Sequence, residues 1–148
     1  MTLEAFLAAF HLVAILTLVV FMSSQAALCR MEWMNAAVVE RLARLDLICN
    51  IAGMAVIATG LARLAWGIKG ASWYVSQPLF HLKMAVVVAM VVLSFWPSAA
   101  FRRWRSNLRA MGQLPAAAEV GRARRLVMVG SHLLPVAAVI AVFWTRGW

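Results

Sequence analysis

Four long apolar runs constrain the fold of this chain more than any other feature of its sequence. They cover residues 3–28, 45–66, 78–101 and 126–144. About 20 mostly apolar residues suffice to cross a hydrocarbon core about 30 Å thick, and each run is close to that length or exceeds it. Hydrophobic residues make up 65% of the chain, against about 45–50% in soluble domains. The sequence therefore predicts a multi-pass membrane protein.

Short connections between the runs indicate how the spans pack. Helices joined by short loops lie antiparallel to one another, which predicts an all-α, four-helix up-down bundle. The 148 residues are expected to form a single membrane domain, residues 1–148. The longest connection, residues 102–125, is rich in arginine. We expect it to lie along the membrane surface, with Trp104 at headgroup depth.

Basic residues are distributed unevenly around the runs. Ten arginines fall in the first and third connections, whereas the opposite side has Arg63, Lys69 and Arg146, and Lys83 lies inside the third run. Because Lys and Arg are retained on the cytoplasmic side, the connection 102–125 is predicted to be cytoplasmic. Both termini are then on the outer, periplasmic side of a bacterial inner membrane. The same arginines face anionic lipids, so the net charge of +9 requires no nucleic acid.

Polar residues within the first run lie on one helical face. Glu4, His11, Leu18 and Gln25 recur every seven residues, a repeat that aligns side chains along one seam of a helix. Polar groups inside a membrane are costly unless they are satisfied or functional. We therefore expect this seam to face the interior of the bundle.

The second run carries an acidic residue and regularly spaced glycines. Asp46 lies near the arginine-rich end, where we expect it to form an ion pair with an arginine of the connections. Gly53, Gly60 and Gly67 recur every seven residues. Glycines at such positions let neighbouring helices approach closely, and they equally leave room for a flat ligand. Both interpretations stay open for this run.

The third and fourth runs hold the remaining histidines. In QPLFHLKMAVVVAM, His81 and Lys83 are two positions apart, so they cannot both face the interior. Ser94 shares the face of Lys83, which favours Lys83 inward and His81 at the membrane interface. In GSHLLPV of the fourth run, His132 is either a hydrogen-bonded core residue or a ligand. Histidines of two helices in one layer of a bundle are the arrangement by which membrane b-type cytochromes hold haem, and His11 and His81 approach the same outer layer.

Two resemblances extend this interpretation. GIKGASWYVSQPLFHLKM, SFWPSAAFRRWR and RLARLD resemble an uncharacterised bacterial family of four-span membrane proteins, and that resemblance covers nearly the whole chain and implies a fold. FHLVAI, HLKMAVVV and RRWR are similar to the HemJ-type protoporphyrinogen IX oxidases, four-span proteins that bind haem b. The second resemblance implies that His11 is the metal ligand and that Lys83 is its functional, catalytic partner.

Three hypotheses for function follow. The first is a haem-b-binding redox protein with His11 as axial ligand, His81 or His132 as a second ligand, and Lys83 with Arg63 binding the propionates. The second is a non-catalytic accessory subunit of a larger respiratory or photosynthetic membrane complex. The third is a transporter, which the shortage of acidic residues and the lack of an inverted repeat disfavour. The sequence leaves open whether the protein is an enzyme, and four spans are compatible with a homodimer.

Overall fold

The fold consists of long antiparallel helices. A computed structural model describes residues 3–66 and 70–146, so Gly67 and Lys69 of the sequence predictions lie outside the described residues. The helices are α1 (Leu3–Leu28), α2 (Ala36–Trp66), α3 (Ala71–Ser76), α4 (Pro78–Met111) and α5 (Ala117–Thr145). Within the described ranges, α1, α2, α4 and α5 are long and apolar enough to cross a membrane. The predicted number of long apolar helices is therefore confirmed.

The four long helices pack as a closed ring of neighbours. Helix α1 contacts α2, α2 contacts α4, α4 contacts α5, and α5 contacts α1. His11, early in α1, is hydrogen-bonded to Thr59, late in α2, and Trp104, late in α4, is hydrogen-bonded to Glu119, early in α5. Neighbouring helices therefore run in opposite directions, as the up-down prediction requires. We call the end that contains His11 the histidine end, and the end that contains Trp104 the arginine end.

Sequence signals explain where the helices begin and end. The side-chain oxygen of Asn35 accepts a hydrogen bond from the backbone N–H of Val38 at 3.0 Å, which satisfies a free donor at the start of α2. Pro78 occupies the first turn of α4, where its missing N–H removes no helical bond. Gly112 ends α4 with a φ of 66°, a left-handed conformation that glycine adopts without strain.

The segment 102–125 differs from the sequence prediction. Helix α4 continues to Met111 and α5 already begins at Ala117. Most of the segment is therefore helical and lengthens α4 and α5 beyond their apolar runs. Trp104 is only 2% exposed, and it is not displayed along a membrane surface. Its indole N–H donates to the Glu119 carboxylate at 2.9 Å, and Arg103 donates to the same carboxylate at 2.6 Å. These contacts hold the two extensions together.

The largest hydrophobic core lies at the arginine end. Its buried members come from α2, α4 and α5 and from the connection that follows α1: Cys29, Val39, Leu42, Ala100, Phe101, Trp104, Val120, Ala123 and Val127. Phe101 and Trp104 pack edge to face, with ring centroids 5.3 Å apart. The Cys29 thiol donates to the Val120 carbonyl oxygen at 3.7 Å, and burial raises the pKa of this thiol to about 11. Cys29 is therefore a packed, protonated thiol with low nucleophilicity.

Candidate functional site at the histidine end

The polar seam of α1 faces the interior, as its seven-residue repeat predicts. His11 is 8% exposed and Gln25 is 4% exposed, and Ala14 and Leu18 are buried on the same face. Glu4, at the start of the seam, is half-buried. His11 is thus enclosed in the bundle, while the other two histidines of the chain are exposed.

A hydrogen-bond chain from α1 to α2 fixes the orientation of the His11 ring. The Nδ1 atom of His11 lies 2.8 Å from the hydroxyl oxygen of Thr59. That hydroxyl lies 2.6 Å from the backbone carbonyl oxygen of Ala55. A hydroxyl has one proton, and the Ala55 carbonyl accepts it, so the Thr59 oxygen accepts a proton from Nδ1. This assignment leaves the lone pair of a neutral imidazole on Nε2.

Gly60 supplies the space in which this ring lies. A Cβ atom added at Gly60 would lie 3.4 Å from Cε1 of His11, so the ring packs directly against the α2 backbone. A Cβ at Gly53 would meet nothing within 4 Å. Of the two described glycines on this face, Gly60 is therefore the one that accommodates the His11 ring. Gly60 directly follows Thr59, so adjacent residues of α2 provide the space for the His11 ring and the hydrogen bond that orients it.

Two cationic side chains accompany His11. Lys83 of α4 and Arg63 of α2 both act electrostatically on the His11 imidazole, and Arg63 also acts on Lys83. Lys83 is half-buried, and its Nζ atom lies 5.1 Å from the ring centroid of Trp144, within cation–π range. Among residues 3–66 and 70–146, neither cation forms an ion pair with a carboxylate. The site therefore carries positive charge that is available to an anion.

The other two histidines do not join this group. His81 is exposed and contacts the Phe80 ring, with centroids 5.5 Å apart; this agrees with the prediction that Lys83 turns inward and His81 outward. His132 is exposed on α5, and its Nδ1 atom donates to the Met128 carbonyl of its own helix at 2.6 Å. Neither histidine is positioned beside His11 as a second ligand. In the described part of the chain, no three His, Cys, Asp or Glu residues form a group that could hold a metal ion.

Asp46 is the centre of a second polar cluster, at the arginine end. Its carboxylate accepts hydrogen bonds from Ser98 at 2.7 Å, from Asn50 at 3.0 Å and from Gln25 at 3.4 Å. The predicted ion pair with an arginine is wrong for the described residues, because neutral donors of α1, α2 and α4 occupy both oxygens. The seven-residue repeat predicted Gln25 on the interior seam, but Ser98 was not predicted. Ser98 could have been found from its position on the same side of α4 as Phe101 and Trp104, which are also buried.

The comparisons with known proteins identify the family. A family described as "Predicted membrane protein (DUF2214)" matches residues 3–148. The chain belongs to this family. No curated protein and no solved structure matches it. Membership of the DUF2214 family agrees with the four long apolar helices of the structure. The resemblance to HemJ-type oxidases stays a prediction.

Replacing Thr59 by valine tests the hydrogen bond that orients His11. Valine keeps the shape of threonine but cannot accept the Nδ1 proton, so we expect a loss of about 0.5–2 kcal/mol in the free energy of unfolding. Thr59→Ser, which keeps the hydroxyl, should lose less. Reversible unfolding of this DUF2214 protein in mixed micelles measures both changes. A Thr59→Val protein as stable as the parent would show that the bond does not contribute.

Proposed function

We propose that this protein binds haem b at the histidine end, with His11 as the axial ligand and with Lys83 and Arg63 binding the propionates. The observation that carries the proposal is the hydrogen-bond chain from His11 through Thr59 to Ala55. Ligating histidines commonly donate their second ring N–H to an oxygen, which fixes the tautomer and aims the free nitrogen at the metal. His11 has that arrangement inside the bundle.

The residues present fit the chemistry of haem better than that of a bare metal ion. A bare ion needs several protein ligands, whereas the porphyrin supplies four nitrogens and needs as little as one imidazole from the protein. Among the residues that the structure describes, only His11 offers a buried imidazole. Lys83 and Arg63 have no carboxylate partner among the described residues, and cations of this kind bind carboxylates. Gly60 leaves room for the His11 ring to pack against α2.

The roles of the protein residues follow from this arrangement. Bound haem supplies one-electron redox chemistry whose potential depends on the axial ligand. Thr59 orients His11, and Lys83 positions a carboxylate of the haem or of a tetrapyrrole substrate. Lys83 is the residue whose charge would distinguish a catalytic site from a passive haem site. His81 and His132 are too exposed in a single copy to complete the ligation.

We further propose a location in the bacterial inner membrane with the arginine end in the cytoplasm. Ten arginines of the connections lie at that end of the bundle, and the retention of positive residues on the cytoplasmic side supports this orientation. Both termini and the haem site would then lie near the periplasmic face. Haem or an electron donor would reach His11 from that face.

Absorption spectroscopy tests the proposed function. Protein purified in mild detergent and titrated with haemin is expected to show a Soret band, and reduction should sharpen the bands in the visible region. The absence of a Soret band at every haemin concentration would refute haem binding. In that case the accessory-subunit hypothesis predicts that the protein is recovered from native membranes with a larger complex, for which the many exposed apolar side chains of its helices provide a surface.

A further inference from the structure

A cavity between α2 and α4 has features of a second binding site. It has a volume of about 660 Å³ and lies at the arginine end, far from His11. The α4 wall contains Arg102, Arg105 and Arg109, and the α2 wall contains Asp46 and Asn50. The arginines are spaced by three and four positions, so one face of α4 presents all of them to the same cavity. Ligand sites usually have volumes of about 300–1,000 Å³.

Two of the guanidinium groups that line the cavity have no hydrogen-bond partner among the described residues. Arg109 forms a bidentate pair with Glu40 outside the cavity, at 2.6 and 2.9 Å. Arg102 and Arg105 form no hydrogen bond with an acceptor in residues 3–66 or 70–146. The Asp46 oxygens are occupied by Ser98, Asn50 and Gln25. Three arginines against Asp46 and Glu40 therefore leave one positive charge uncompensated.

We propose that this cavity binds a phosphate-bearing anion through Arg102 and Arg105. A guanidinium presents paired N–H donors that match the oxygens of a phosphate, and such charge-assisted bonds are stronger than neutral ones. Arg102 directly follows the apolar run that ends at residue 101, so the cavity opens at the level where lipid headgroups lie. Basic cavities between membrane helices bind anionic headgroups in this way. The two sources of the anion are a phospholipid headgroup and free phosphate.

Ligand titration of three proteins tests this site. The parent, the double variant Arg102→Gln/Arg105→Gln and the matched control Arg41→Gln/Arg125→Gln are purified in a neutral detergent. The control removes two exposed arginines from the same end without changing the cavity. Each protein is titrated with short-chain phosphatidylglycerol, with phosphatidylcholine and with inorganic phosphate, and the unfolding midpoint is followed. Far-UV circular dichroism checks that the helices are intact.

We expect saturable stabilisation of the parent and of the control, and about tenfold weaker binding by the double variant, because two charge-assisted contacts are lost. Saturation by phosphatidylglycerol but not by phosphate identifies a lipid headgroup, and saturation by phosphate alone identifies a free anion. Where the double variant does not fold, Arg105→Lys replaces it, since lysine keeps the charge but loses the paired donors. The proposal is overturned if neither phosphatidylglycerol nor inorganic phosphate saturates the parent. It is also overturned if the control substitutions weaken binding as much as the substitutions in the cavity.

Discussion

Replacing Trp104 by alanine is expected to lower the free energy of unfolding by about 3–5 kcal/mol, the range for large aromatic residues removed from a packed core. Trp104 is 2% exposed and lies in the cluster that joins α2, α4 and α5 at the arginine end. Its loss would also remove one of the two donors to Glu119 and the edge contact with Phe101. Unfolding in mixed micelles measures the change.

Two further variants separate the contributions of the Trp104 side chain. Trp104→Phe keeps a ring in the core but loses the N–H donor, so its loss should be well below that of the alanine variant. Trp33→Ala serves as the matched control, because Trp33 is 50% exposed and its removal opens no internal cavity. Equal destabilisation by Trp33→Ala and Trp104→Ala would contradict the assignment of the core to the extended ends of α4 and α5.

The sequence predicted the fold wherever a single physical requirement decided it. Backbone groups in lipid must be hydrogen-bonded internally, so long apolar runs predict helices and their number. The seam of His11, Leu18 and Gln25 was also predictable, because a seven-residue repeat places polar side chains on one face and all three are buried. The opposite orientations of His81 and Lys83 followed from helix geometry alone.

The predictions that differ from the structure concern residues whose environment depends on several helices. Charge suggested that Trp104 and its arginine neighbours lie along the membrane surface, but packing of α4 against α5 buries the indole beside Glu119. Asp46 was predicted to have an arginine partner because it lies near the arginine-rich end of its run. Its actual donors include Ser98, which is 52 residues away in sequence. No local pattern encodes such a contact, because it depends on how α2 and α4 pack.

The role of Thr59 was equally hidden in the sequence. A threonine in an apolar helix commonly donates to a carbonyl of its own preceding turn, and Thr59 does so with Ala55. Only the packing of α1 against α2 adds His11 as its second partner. The sequence therefore does not show that the Thr59 hydroxyl orients His11, and only the three-dimensional structure does.

Replacing His11 by alanine should abolish the haem spectrum if His11 is the axial ligand. We expect no Soret band from bound haem and a loss of haemin affinity of at least about tenfold, which corresponds to about 1.4 kcal/mol. His81→Ala and His132→Ala are the matched controls, since both side chains are exposed and lie apart from His11. Each should keep the spectrum of the parent. An identical loss in all three variants would indicate an effect on folding, which far-UV circular dichroism detects.

Imidazole rescue of a His11→Gly variant tests ligation by His11 most directly. The variant removes the side chain and leaves space beside Gly60 and Thr59 that free imidazole can occupy. We predict that His11→Gly titrated with haemin shows no bound-haem Soret band, and that added imidazole restores the position and intensity of the parent band. Unchanged haemin affinity and an unchanged spectrum of His11→Gly without imidazole would contradict the assignment of His11 as the ligand.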